Sequence, residues 1–180
     1  LMLTSMAVVR EKEIGTMEQI MVTPITSVEF ILGKTVPFAL IGFADVVLIT
    51  VLGVFWFDVP IRGSLLLLFV ATALYLLTTL AIGLFISTVS QTQQQAMMST
   101  FFFYFPAVLL SGFMFPIANM PVVVQWLTYL NPLRYFLVIV RGVFLKGVGP
   151  DVLWPQMIAL AVMGRVALWL AAKRFRKTLA

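Results

Sequence analysis

Gly33-Lys34-Thr35 has the spacing with which a phosphate-binding loop ends, G-x-x-x-x-G-K-[ST], and would mark a nucleotide site if the rest of the loop preceded it. Val28, however, stands where the first glycine belongs, and Glu29, Phe30, Ile31 and Leu32 read as helix rather than as a cradle of backbone N–H groups. No ATP is expected to bind there, and Lys34 reads as an anchor at the inner membrane interface. With no Cys and no His in the chain, thiolate and imidazole metal sites, a Cys nucleophile and a Ser-His-Asp triad are all excluded. The chain is therefore expected to carry no catalytic residue and no metal ligand. Two ionisable residues fall inside apolar stretches: Asp45, and Arg165 about eight residues before a basic cluster. A charge at mid-membrane costs about 2.5 to 3.5 kcal/mol on an insertion scale, which favours a place inside a helix bundle. The two could pair or line a substrate route; alternatively Arg165 snorkels to the interface and Asp45 makes a polar contact between helices.

The densest polar chemistry lies earlier. Arg10 to Pro24 (REKEIGTMEQIMVTP) interrupts an otherwise apolar chain, and four of the seven acids, Glu11, Glu13, Glu18 and Glu29, fall in it or just after it. Ile14, Met17 and Met21 recur at i, i+3 and i+7, so residues 10–24 are expected to form a short amphipathic helix along the membrane surface. Pro24 stops it, and Thr26 with Glu29 makes a capping box for the next helix. The plain alternative is a surface connector whose charges are merely solvated.

The elements that must position these residues follow from composition. Hydrophobic residues make up 62% of the 180, charged residues 11%, and the mean hydropathy is +1.08, whereas soluble domains carry about a quarter charged residues. The expected fold is an all-α integral membrane protein, a polytopic helix bundle. At 1.5 Å per residue a span needs about 20 apolar residues, and four stretches qualify, near 36–57, 64–87, 96–115 and 153–172. Leu1 to Val9 is apolar but too short to cross, and reads as the end of a truncated transmembrane helix; residues 25–180 form the transmembrane domain. The net charge of +5 does not indicate nucleic acid, because Lys173, Arg174, Arg176 and Lys177 cluster after an apolar run as a cytoplasmic anchor does. Seven basic residues lie inside and four outside if the C-terminus is cytoplasmic, which sets the orientation.

Between the last two spans, residues 116–151 are apolar but broken by Pro116, Pro121, Pro132, Gly147, Gly149 and Pro150. Such a segment is expected to form a re-entrant extracytoplasmic helical hairpin, tolerable against protein or a water-filled cavity; an amphipathic loop on the outer surface is the alternative. Thr79, Gly83 and Ser87 repeat at i, i+4 and i+8, a small-residue stripe that lets another helix approach. The rings of Phe101 to Phe105, Phe102 and Phe105 among them, pack or line an apolar cavity and are candidates for the substrate pathway together with Asp45 and Arg165.

The string EKEIGTMEQIMVTPI followed by LGK, then LSGFMFPIANMP, LNPLRY and RGVFLKG, taken in that order, resembles the ABC-2 family, the integral permeases of ATP-binding-cassette exporters. The resemblance covers nearly the whole chain. It implies that residues 10–24 are the coupling helix that docks on a separate cytoplasmic ATPase subunit, a role falling to Glu11, Glu13, Gly15, Thr16, Met17, Glu18 and Pro24. It further implies a second permease subunit, ATP and Mg on the partner ATPase with no cofactor on this chain, and a bacterial inner membrane as the location. An ion-coupled secondary transporter using Asp45 and Arg165, and a membrane scaffold without transport, are the alternative classes.

Overall fold

A chain this apolar must satisfy its backbone N–H and C=O groups internally, and the α-helix does so within one segment. The computed structural model describes residues 1–16 and 27–178, and among them every regular element is helical. α1 (Met2–Ala7) and α2 (Val9–Ile14) are short; α3 (Ser27–Phe55), α4 (Leu65–Val89) and α5 (Gln93–Leu109) follow. After a single 3₁₀ turn (Ile117–Asn119) come α6 (Val122–Thr128), α7 (Pro132–Arg141), a π-helical turn (Gly142–Lys146) and α8 (Pro150–Thr178).

Three of these are long and apolar enough to cross a membrane: Glu29–Phe55, Leu65–Val89 and Pro150–Lys173. A fourth arises if α6 and the helix from Pro132 to Lys146, which meet at an 81° bend, count as one span. The run expected near 96–115 is instead the 17-residue α5, about 25 Å long against about 30 Å of hydrocarbon. Thr92 caps its start by accepting from the Gln95 N–H at 3.2 Å, and the chain turns at Gly112, whose φ is +80°, so residues 111–115 leave the helix axis.

α4 is the axis of the bundle, packed against α1, α3, α5, α7 and α8. Leu67, Leu68 and Ala71 share a buried cluster with Ile139, Val143, Leu153 and Leu160, while Leu84 meets Ala171 and Val8 in a second. Residue numbers rise together along α4 and α8, so these two helices run in the same direction. The Thr78 hydroxyl donates to the Leu160 carbonyl at 3.1 Å, and Gly164 leaves room for it, since a Cβ there would sit 2.9 Å from Thr78 Oγ1.

Parallel α4 and α8 require one net crossing between them. α5 begins beside the end of α4 and finishes where α4 starts: the Asn131 amide donates to the Ala107 carbonyl at 2.6 Å and Arg141 Nη2 to the Gly112 carbonyl at 3.2 Å. The Gly63 N–H donates to the Val143 carbonyl at 2.9 Å at that same end. Residues 117–149 therefore leave from and return to one end of the bundle. Their bend is fixed by Pro132 at the start of α7, by Asn131 accepting from the Leu133 N–H at 3.1 Å, and by Arg134, which bonds Thr128 Oγ1 and lies 3.9 Å over the Tyr129 ring.

Close packing of α4 on α8 makes a specific prediction. Gly164→Ala forces Thr78 to shift and should lower the stability of the detergent-solubilised protein by about 1 to 3 kcal/mol. Gly33→Ala, inside α3 where nothing lies within 4 Å, should leave the unfolding midpoint unchanged or raise it slightly. Equal midpoints for the two variants would contradict this packing.

Candidate functional site

α1 turns into α2 at Val8, and there the backbone N–H groups of Val8 and Val9 lose helical acceptors. Both donate to one hydroxyl, Ser87 Oγ, at 3.1 and 3.0 Å, and all three residues are fully buried. A hydroxyl oxygen carries two lone pairs, so it can satisfy both. Gly83, one turn earlier on α4, admits α1 to backbone contact: a Cβ there would lie 3.0 Å from the Leu1 carbonyl and from Thr4 Cβ. Thr79, the third member of the small-residue stripe, bonds back to its own helix at Tyr75 and Leu76. On the other side of α1, Thr100 Oγ1 of α5 donates to Ser5 Oγ at 2.8 Å.

α2 then carries four consecutive charges, Arg10 to Glu13; the last three, which at 100° per residue point in three directions, each reach a different long helix. Glu11 accepts from Lys34 Nζ of α3 at 2.5 Å, and the same ammonium donates to the Ala7 carbonyl at 2.8 Å. Lys12 Nζ donates to the Thr88 carbonyl at 2.9 Å, at the C-terminus of α4. Glu13 accepts from the Gln93 N–H at 3.1 Å, at the N-terminus of α5. The last two match the helix dipole, a cation on carbonyls and an anion on free N–H groups. A cleft of about 530 Å³ opens beside this joint, bordered by Arg10, Glu11, Lys34, Phe38 and Gln93.

Gly15 ends α2 in the left-handed conformation at φ +82°, so the polar stretch is not one unbroken helix. Its C-terminal side is held by Thr16, whose hydroxyl donates to the Glu11 carboxylate. The Lys34 hydrogen bond first, then that of Thr16, keep the Glu11 carboxyl below the usual carboxylate range. Ile14 and Glu13 remain on the exposed side. Met17, Glu18 and Pro24 lie outside the described residues, as does Thr26 of the expected capping box.

The other expected site residues lie apart from this joint. Asp45 and Arg165 are exposed, on α3 and α8, which both pack on α4; no ion pair joins them. Phe102 and Phe105 are also exposed on α5, where Phe101 stacks on Phe105 with ring centroids 5.9 Å apart. Residues not foreseen are Ser5, Lys12, Gln93 and Thr100. The sequence signal for Ser5 and Thr100 is a hydroxyl in an otherwise apolar run, and for Lys12 its place between two acids.

A helical bundle with three or four candidate spans, its polar N-terminal stretch tied to three of the long helices, is a polytopic membrane protein. Residues 1–145 match the family model described as ABC-2 type transporter, and the chain belongs to that family. It is similar to the probable multidrug ABC transporter permease YbhS of Escherichia coli, 42% identical over 176 residues, which cover 96% of this chain and 47% of the relative. It is similar also to the probable multidrug ABC transporter permease YbhR of Escherichia coli, 37% identical over 171 residues, 93% of this chain and 46% of the relative. The inner membrane transport permease YhhJ of Escherichia coli is 32% identical over 185 residues, covering 99% of this chain and 48% of the relative. The chain thus spans about half the length of the curated relatives it matches. No solved structure matches it significantly.

Ser87→Ala should destabilise the purified protein. One interhelical hydrogen bond in a membrane bundle contributes about 0.6 kcal/mol on average, but here two buried N–H groups are orphaned, so a loss of about 1 to 3 kcal/mol is expected. A loss below that average, read from denaturant unfolding in detergent, would show that water or another group replaces the hydroxyl. The depressed carboxyl of Glu11 gives a pH dependence of defined sign. Its stabilisation is fully present above the usual carboxylate range, about pH 4 to 5, and disappears as pH falls through the lower folded value. Protection factors of the α2 backbone amides, which correct exchange rates for their intrinsic pH dependence, should accordingly fall on acidification, and Glu11→Gln should flatten that dependence.

Proposed function

We propose that this chain is part of the permease of an ATP-driven exporter, forming the substrate path in the membrane and coupling it to a separate ATPase through residues 10–24. The observation that carries this reading is the triple tie of Glu11, Lys12 and Glu13 to α3, α4 and α5. A push on α2 from a cytoplasmic partner would be transmitted to three long helices at once, without a loose connector between. Ile14, exposed beside these ties, supplies an apolar contact for a groove on the partner, and the charges around it set register.

In this reading ATP and Mg are bound by the partner ATPase, where hydrolysis takes place, and two permeases act together with two ATPase subunits. Met17, Glu18 and Pro24 belong to the same docking segment. Residues 116–151 form a re-entrant hairpin on the outer side, consistent with their leaving and returning at one end of the bundle, and the C-terminus is cytoplasmic. A bacterial inner membrane is the fitting location, as for the YhhJ relative named an inner membrane permease. Multidrug cargo, the description carried by YbhR and YbhS, suits the exposed Phe102 and Phe105 on α5, with Asp45 and Arg165 as further candidates on the pathway.

These 180 residues carry no Cys, so the test needs only that any Cys elsewhere in the permease be replaced. Ile14→Cys in the full-length permease should crosslink to a single Cys in the groove of its ATPase, and Lys34→Met should preserve that crosslink while lowering ATP-driven efflux several-fold. Efflux that persists without the ATPase, together with no crosslink, would overturn the exporter reading.

A further inference from the structure

At the end of the bundle opposite the polar joint, α3 and α7 diverge and leave a recess of about 370 Å³. Its wall is apolar: Val46, Ile49 and Gly53 of α3, Leu68 of α4, Phe136 of α7 and Phe144 of the π-helical turn. The volume falls at the lower end of the range for ligand pockets, about 300 to 1,000 Å³, and the recess is open on one side. Gly53 widens it, since a Cβ built there meets nothing within 4 Å.

A single charged residue, Arg141, borders this recess. Its guanidinium carries five N–H donors; among the described residues it makes one hydrogen bond, from Nη2 to the Gly112 carbonyl at 3.2 Å, and no carboxylate pairs with it. Arg62 and Lys146 lie on either side of Gly147, the Arg62 carbonyl 2.9 Å from a Cβ built on that glycine, and add positive charge beside the π-helical turn. Two exposed acids lie at the same end: Asp58, next to the lining residue Val59 and left-handed with φ +49°, and Asp151, whose Oδ2 is 3.8 Å from a Cβ built on Gly149; neither lines the recess. The π-helical turn is a rare geometry that is frequent at functional sites, and with the end of α7 it places Arg141, Phe144 and Leu145 together on the recess wall.

We propose that the recess binds one anionic phospholipid of the surrounding bilayer, an acyl chain lying along Val46, Ile49, Gly53 and Phe144 and the phosphate held by the Arg141 guanidinium. Charge complementarity selects this occupant. An apolar slot alone would take any acyl chain, but a guanidinium with spare donors at its rim favours a phosphate without a neutralising choline, through paired N–H···O bonds. The site is independent of the exporter reading, because it needs neither an ATPase nor transport.

The test is native mass spectrometry of the purified full-length protein, exchanged into detergent with phosphatidylglycerol or phosphatidylcholine of identical chains. The protein should retain one phosphatidylglycerol more strongly than phosphatidylcholine, by about fivefold for one cation at the surface. Arg141→Gln should abolish that preference while leaving weak retention of both lipids. Gly53→Phe should fill the slot and reduce retention of both. Equal retention of the two lipids by the unaltered protein would overturn the proposal without reference to any variant. An unchanged preference in a folded Arg141→Gln protein would overturn it equally. Retention of free oleate but not of phosphatidylglycerol would identify the occupant as a cargo-like fatty acid and refute the bilayer lipid.

Discussion

The hydroxyl of Ser87 takes the two N–H groups that the break between α1 and α2 releases, and the rest of the joint depends on that exchange. In an apolar setting an orphaned backbone donor is costly, so a bend in a buried helix persists only where another group supplies the acceptor. Ser87 supplies it from α4, the most highly connected helix in the bundle, and this anchors the bend to the molecular axis. Once the bend is fixed, α2 leaves at a set angle. Glu11, Lys12 and Glu13 can then reach α3, α4 and α5 simultaneously. If the bend straightened, the three charges would rotate together, and none could keep its partner.

Small residues play the same part elsewhere in the bundle. Gly83 lets the α1 backbone lie against α4, and Gly164 lets Thr78 reach the Leu160 carbonyl on α8. Helices surrounded by lipid gain little from burying apolar side chains against each other, so close backbone approach and hydrogen bonds between helices supply much of the association. The aliphatic cluster at the opposite end, with Tyr75 stacked on Phe136 at 4.4 Å, fills the space under the bent α6–α7 pair. α4 is therefore held by polar contacts at one end and by packing at the other.

How much of this could be read from residue order differs by kind of interaction. The helical class and the long spans were legible because lipid imposes one local rule, apolar length, on every crossing segment. The polar stretch stood out for the same reason. Its partners did not, since nothing in REKE states that Lys12 meets Thr88 or that Glu13 meets Gln93; these depend on how α4 and α5 are placed. The i, i+3, i+7 pattern of Ile14, Met17 and Met21 suggested a continuous helix, but Gly15 could adopt φ +82° and close α2 there. The stripe of Thr79, Gly83 and Ser87 announced close approach without naming the incoming helix, and Ser87 does more than make room. Asp45 and Arg165 were expected at one depth, yet depth says nothing about azimuth, and on separate helices packed on α4 both are exposed and no ion pair joins them.

α3 connects the two ends of the molecule. Lys34 near its start is fastened to Glu11 and the Ala7 carbonyl, while Val46, Ile49 and Gly53 in its second half border the open recess beside α7. Between these points α3 meets α4 closely at Gly42, where a Cβ would lie 2.6 Å from Leu76 Cδ2, while most of its remaining length is exposed or half-buried. In the proposed coupling that approach would serve as a fulcrum, since a rotation of α3 at Lys34 about Gly42 would displace the far end of the helix. Closure at the joint would thus alter the width of the recess, and an occupant there would oppose it. Any coupling between the two sites must be reciprocal in free energy, so in the proposed assembly an occupant of the recess would also bias the angle at which α2 meets an ATPase.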